Sequence, residues 1–273
     1  MNRVALCLAA LVMILGGRAL AADMAVKAPS PSPQPVSGWT GCYIGGNVGD
    51  IRENDTTTVG LYDPTSAFPG LFPGPIPPSF SYNRNSWLAG GQIGCNYQFT
   101  KSVVGIETDF DDTSLNGGQS LSRPSPFAVK YTSAVTQGTS WLGTTRARIG
   151  TVWNNVLLYA TGGIAYGKTS NTYFLTDVPS TGIISILAAD SATQLGWTVG
   201  GGLEVGLGQW SVKGEALYYD LGNHSLAANC TLVSGATCGT PNTVFTAHFA
   251  NQGVIARIGL NYHFNIGPVA AKY

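Results

Sequence analysis

The stretch GVIARIGLNYHF, residues 253–264, decides the fold. Val254, Ala256, Ile258, Leu260, Tyr262 and Phe264 alternate with Gly253, Ile255, Arg257, Gly259, Asn261 and His263. One face is apolar and ends in two aromatic rings; the other is largely polar or small. A period of two marks a β-strand lying between two different environments. Residues 194–208 repeat the pattern, with Leu195, Trp197, Val199, Leu203, Val205 and Leu207 facing away from Gln194, Thr198, Glu204 and several glycines. Further strands are predicted near 39–51, 86–99, 102–114, 138–153, 156–170 and 210–222, which makes eight. Strand 156–170 is the least regular, because Tyr159 falls on its polar face.

The connections alternate as well. Phe99 to Ser102, Trp153 to Val156 and Leu207 to Trp210 are tight turns. Between them lie long linkers near 52–85, 115–137, 171–192 and 223–247, rich in Pro, Ser, Thr, Asn and Gly. Short turns at one end and long loops at the other predict an all-β fold. The expected form is an eight-stranded antiparallel up-and-down transmembrane β-barrel with four long extracellular loops and short periplasmic turns. A secreted β-sandwich binding protein is the alternative fold, but it would carry charged outer faces and turns of similar length at both ends.

Composition agrees with a lipid-facing surface. Only 10% of the 273 residues are charged and 44% are hydrophobic, with no net charge. A soluble globule would be left with an unusually bare surface, whereas a barrel wall facing lipid needs no charge. The absence of a basic excess argues against nucleic acid as a partner. The 36 glycines exceed the usual share of ~7%. Trp39, Trp87, Trp153, Trp210, Tyr262 and Phe264 are predicted to line the membrane interfaces, with Trp141 and Trp197 also near strand ends or on outward faces.

The first residues read as an export signal: Arg3, an apolar run from Val4 to Leu15, then Ala19-Leu20-Ala21 as a small-x-small cleavage site. The expected organisation is a signal peptide over 1–21, a Pro-rich periplasmic linker over 22–38 and the outer-membrane barrel over 39–273. The mature chain then carries 12 basic and 14 acidic residues.

Inside so narrow a barrel, side chains fill the lumen. The predicted inward charges are Glu107, Asp109, Arg146, Arg148, Glu204, Lys213, Glu215 and Arg257, four of each sign. Buried charges need partners, so they are read as a plug of salt bridges. Gly162 to Thr169 matches the phosphate-loop pattern, but residues 170–179 have no helical periodicity, so nucleotide is not expected there. Cys230 with Cys238 and Cys42 with Cys95 are candidate disulfides. His224, His248 and His263 are scattered, and neither a catalytic nor a metal or cofactor site is read from them.

Several stretches resemble the porin-like outer-membrane immunogenic proteins of alphaproteobacteria: WTGCYIGGNVG at 39–49, GGQIGCNYQ at 90–98, YATGGIAYG at 159–167 and YYDLG at 218–222. The ADMAVKAP segment beginning at Ala22 and the GPVAAKY end at 267–273 share the likeness. The resemblance implies an eight-stranded outer-membrane barrel, inserted by the barrel-assembly machinery through recognition of a C-terminal aromatic strand, here ending in Phe264 or Tyr273. It implies contact with outer-membrane lipid and lipopolysaccharide. Family roles span envelope integrity, surface antigenicity, small-solute passage and, in some members, haem binding, with no residue motif that transfers. Family members usually carry aromatics where Cys42 and Cys95 stand, which favours that pairing. The first loop, with Pro64, Pro69, Pro73, Pro75, Pro77 and Pro78, is individual to this chain. The resulting expectation is a non-enzymatic structural protein whose surface loops contact a host, a phage or a ligand, with a narrow solute channel as the alternative.

Overall fold

Every strand is longer than its apolar alternation. The computed structural model describes residues 38–62, 79–124, 130–177, 184–229, 231–232 and 244–264. Its strands are β1 (Gly41–Tyr62), β2 (Ser79–Phe99), β3 (Ser102–Pro124), β4 (Lys130–Trp153), β5 (Val156–Asp177), β6 (Ile184–Leu207), β7 (Trp210–Asn229), the two-residue β8 (Thr231–Leu232) and β9 (Val244–Phe264). The eight long strands pair antiparallel in a closed ring, β1–β2–β3–β4–β5–β6–β7–β9 and back to β1. The signal-peptide and linker assignments lie outside the described residues, as does the Cys230–Cys238 pair.

The four linkers are therefore corrected: most of 52–85, 115–137, 171–192 and 223–247 is strand. The physical reason is a change of phase. Along β9 the outward residues run Phe264, Tyr262, Leu260, Ile258, Ala256 and Val254, then turn to Gln252, Ala250, His248 and Thr246. The inward residues His263, Asn261, Arg257 and Ile255 give way to Phe249, Ala247 and Phe245. Lipid wets the outside of the lower part and water the outside of the upper part, so the apolar set moves from the outward to the inward face while the same residues stay inside.

Two rings of aromatics bracket the lipid belt. Near the short turns stand Tyr97, Phe99, Trp153, Trp210, Tyr262 and Phe264, with Trp210 and Phe264 packed on Tyr262 at 5.0 and 5.3 Å between centroids. At the other boundary Phe110 stacks on Trp141 at 5.1 Å, Trp141 meets Tyr166 at 6.3 Å and Trp197 meets Tyr218 at 5.3 Å, with Trp87 on β2. From Phe264 to Val254 the belt is about 25 Å tall at the usual strand rise and tilt.

Above the upper ring the barrel divides. The β2–β3 ladder ends at Leu88 and Thr113 and the β6–β7 ladder at Trp197 and Asp220, although all four strands continue. Two four-stranded sheets result, β3–β4–β5–β6 and β2–β1–β9–β7. They face each other across a core of Val135, Tyr173, Leu175, Ile186 and Ala188 from one sheet and Phe80, Leu226, Phe245, Ala247 and Phe249 from the other. The alternative fold, a secreted β-sandwich, is not adopted: the eight long strands remain members of one ring.

Candidate functional site

The inward residues form layers. Nearest the short turns, Trp39, Val103, Leu157 and Tyr159 make an apolar floor. The sequence places Trp39 in the interfacial belt; it is instead buried, and this is a correction. Gly41, with φ 142°, turns the preceding chain inward, the Trp39 N–H donates to Gln98 Oε1 at 2.7 Å, and the indole meets His263 edge to face at 5.8 Å. Trp87, Trp153, Trp210 and Phe264 do face outward, and Tyr262 lies half-buried between two of them.

Over that floor lies the charged network, and all eight candidate lumen residues belong to it. Arg146 donates to Glu107 at 2.6 Å, Asp109 at 2.8 Å and Glu215 at 2.9 Å. Arg257 reaches Asp111 at 2.7 Å, Asp109 at 2.8 Å and Glu215 at 2.8 Å. Lys213 donates to Glu107 at 2.7 Å, and Arg148 to Glu204 at 2.8 Å. Their elements are β3, β4, β6, β7 and β9, so the network ties the barrel across its diameter. The irregular Tyr159 has its reason here: its hydroxyl donates to Glu215 at 2.9 Å and its ring lies 4.0 Å beneath the Arg148 guanidinium. Tyr43 donates to Glu107 at 2.6 Å and accepts from Arg148 at 2.7 Å.

Above the charges, seven strands contribute to a second apolar layer, which includes Ile51, Leu88, Leu115, Leu142, Ala165, Leu217 and Ile255. Beyond it Arg84 bridges Glu53 and Asp55, and the Tyr219 hydroxyl donates to Glu53. Next comes an amide chain: Tyr82 donates to Gln137 at 2.6 Å, Gln137 to Asn251 at 3.1 Å and Asn251 to Gln194 at 3.0 Å. The apolar core of the two sheets lies at the top.

The expectation of four lumen charges of each sign is also corrected. Glu53, Asp55, Asp111 and Arg84 are buried too, making seven acids against five Arg and Lys. The first, second and fourth of these fall within segments whose composition reads as loop or lie just past a predicted strand. Asp111 carries the signal that would have found it, since it alternates with Glu107 and Asp109 along β3. Cys42 and Cys95 stand opposite each other on β1 and β2 and form a disulfide, with Cα atoms 3.9 Å apart.

His263 and Ser211 hydrogen-bond at 2.7 Å, but Ser211 also donates to Glu204 and is fully buried. Ser225 and His248 make a similar contact at 2.7 Å on the outer half. Neither places a histidine between a serine and a carboxylate, the order a hydrolytic triad requires. Among the described residues no group of three or more His, Cys, Asp or Glu side chains is arranged to hold a metal.

A ring of strands with an apolar outer belt, aromatic borders and a packed lumen defines a small transmembrane β-barrel of the outer membrane. The chain belongs to the outer membrane protein β-barrel family, whose domain model matches residues 7–264. It is 32% identical over 263 residues to the 31 kDa outer-membrane immunogenic protein of Brucella melitensis, covering 94% of this chain and 98% of that protein. The 22 kDa outer membrane protein of Rhizobium leguminosarum is 28% identical over 181 residues, 63% of this chain and 58% of its own length. Among solved structures the chain is similar to the outer membrane protein OprG of Pseudomonas aeruginosa, at 14% identity and TM-score 0.42, covering 82% of this chain and 96% of that one. This chain is accordingly an outer-membrane protein, and the Brucella and Rhizobium relatives are named as outer-membrane proteins rather than enzymes.

Proposed function

We propose that the protein is a structural, surface-exposed component of the outer membrane without enzymatic activity, its lumen sealed by the charged network. One observation carries this reading: buried side chains fill the barrel at successive levels, from the Trp39 floor through the Arg146 network to the Ile51–Leu88 layer. A solute would have to break ion pairs and two apolar layers, which is unfavourable for anything polar. The belt contacts lipid and lipopolysaccharide, the aromatic last strand is the signal for the assembly machinery, and residues 1–21 are the export signal. The outer half meets host, phage or ligand, in line with relatives named as immunogenic. Planar-bilayer recording tests the seal. The wild-type barrel should give no conductance steps, whereas steps that change when Arg146 or Glu107 is neutralised would establish the narrow channel instead.

A further inference from the structure

The two seams between the upper sheets are closed differently. At the β2–β3 seam, side chains meet the unpaired backbone. Gln119 Oε1 accepts from the Ser81 N–H at 3.2 Å, Arg84 donates to the Leu115 carbonyl at 3.3 Å, and Thr113 to the Trp87 carbonyl at 3.1 Å. The β6–β7 seam is a window, bounded below by the Trp197–Asp220 pair and above by the antiparallel pairs Ile184–Leu232 and Ser185–Thr231. Between these bounds, residues 186–196 and 221–229 form no rungs with each other. The register shift of β7 against β9 between Asp220 and Asn223, with Gly222 at φ +79°, carries β7 away from β6.

Among the described residues, one side-chain hydrogen bond crosses the window, His224 Nε2 to Asp190 Oδ2 at 2.9 Å, below the core that Ile186, Ala188 and Leu226 share. Both residues sit on inward registers, yet Asp190 keeps 47% of its side chain exposed. The outward residues of this stretch are Leu187, Ala189, Ser191, Thr193 and Leu195, with neither proline nor charge among them. Natural sheets blunt open edges with lysine, proline, bulges, inward charges or a covering loop; of these, the described residues supply the inward Asp190 and the β7 bulge, and none on the outward row of β6. Leu187 is 65% exposed above the lipid belt, on a wall otherwise made mostly of Ser, Thr and Asn.

We infer that the β6 edge over residues 186–196 is a docking site for an extended polypeptide segment of a partner protein, added as an antiparallel strand. Backbone groups along the edge supply register-independent hydrogen bonds, and Leu187 and the methyls of Ala189 and Thr193 receive alternate side chains. The antiparallel rungs at Ile184 and Ser185 already fix the direction such a strand takes, running away from the membrane. Two copies cannot pair this edge with itself in the antiparallel sense, because in one membrane every β6 runs toward the periplasm and would arrive parallel. The part of the Asp190 carboxylate left exposed beside His224 favours a segment carrying a basic residue. The inference extends the surface-contact role and does not depend on whether the lumen conducts.

The test uses the purified full chain in detergent micelles and a fluorescent ten-residue peptide of alternating valine and threonine with one central lysine. Saturable binding should appear in anisotropy, and it should slow amide exchange at Leu187–Leu195, which is fast in the free protein. Methylating every second peptide nitrogen should weaken binding more than tenfold. So should Ser191→Lys together with Thr193→Lys, whereas Ser81→Lys with Asn83→Lys at the sealed seam should leave it unchanged. The inference is overturned by slow exchange of the edge in the free protein, equal binding of the methylated peptide, no binding, or a dimer that protects the edge.

Discussion

The lower and upper halves of this barrel use the same eight strands to bury opposite things. Below the Trp87–Trp141–Trp197 ring the wall is apolar outside and the lumen holds Arg146, Arg257, Glu107 and their partners. Above it the wall carries Ser, Thr and Asn, and past the Arg84 cluster and the amide chain the lumen holds Phe80, Tyr173, Phe245 and Phe249. The solvent decides. Lipid removes any hydrophobic drive toward the lumen, so between its two apolar layers the lower interior is tied by ion pairs and hydrogen bonds. Water restores that drive, so the upper half closes as an ordinary β-sandwich would.

The largest effects should come from breaking either interior. Removing Arg146 leaves Glu107, Asp109 and Glu215 short of a shared cation; Arg146→Ala should cost about 3–5 kcal/mol in urea unfolding from micelles. Phe249→Ala should cost about the same by cavity formation. Their signatures differ. Amide exchange should accelerate below the ring for Arg146→Ala, and above it, around Val135, Ile186 and Ala247, for Phe249→Ala. Identical exchange patterns would mean that the halves are one cooperative unit, and the comparison would fail.

The same change of solvent governs how much of the molecule is legible in its sequence. The lower strands are readable because lipid imposes an unbroken apolar face on residues such as Ile258 and Leu260, and the charges opposite them can be assigned to the lumen. Phe80, Tyr82 and Arg84 alternate just as regularly with Ser81, Asn83 and Asn85, but in the inverted phase and among prolines, so they read as loop. Arg84 is lost with that segment, and Glu53 and Asp55 with the start of the same linker. Trp39 is misplaced because a tryptophan at a strand end suits an interface equally well; only the turn at Gly41 sends it inward. The division into two sheets leaves no local mark, since pairing between β2 and β3 depends on contacts that alternation does not encode.

A lysine scan along one outward row sharpens the boundary with a smaller effect. Ile258→Lys places a charge in mid-belt and should cost about 2–4 kcal/mol. Ala250→Lys, on the same strand and the same face but above Gln252, should stay within about 0.5 kcal/mol, as exposed substitutions do. Refolding into vesicles and measuring unfolding midpoints separates the two. A comparable loss at both positions would put residue 250 in lipid and move the ring upward.

The smallest effect concerns the ring itself. Phe110 and Trp141 stack at 5.1 Å on the outer face, and Trp141 also touches Tyr166. Both rings face the membrane whether or not they touch, so truncating one removes little hydrophobic burial within the protein. What remains is the stacking interaction, about 0.5–1.5 kcal/mol for an aromatic pair. A double-mutant cycle of Phe110→Leu and Trp141→Leu isolates it, because each leucine keeps an apolar contact with lipid. Coupling in that range, with single-mutant losses of similar size, is the expected result. Much larger single losses without coupling would show each ring to be a membrane anchor in its own right, and the boundary between the halves would then be held by lipid contact rather than by the ring's own packing.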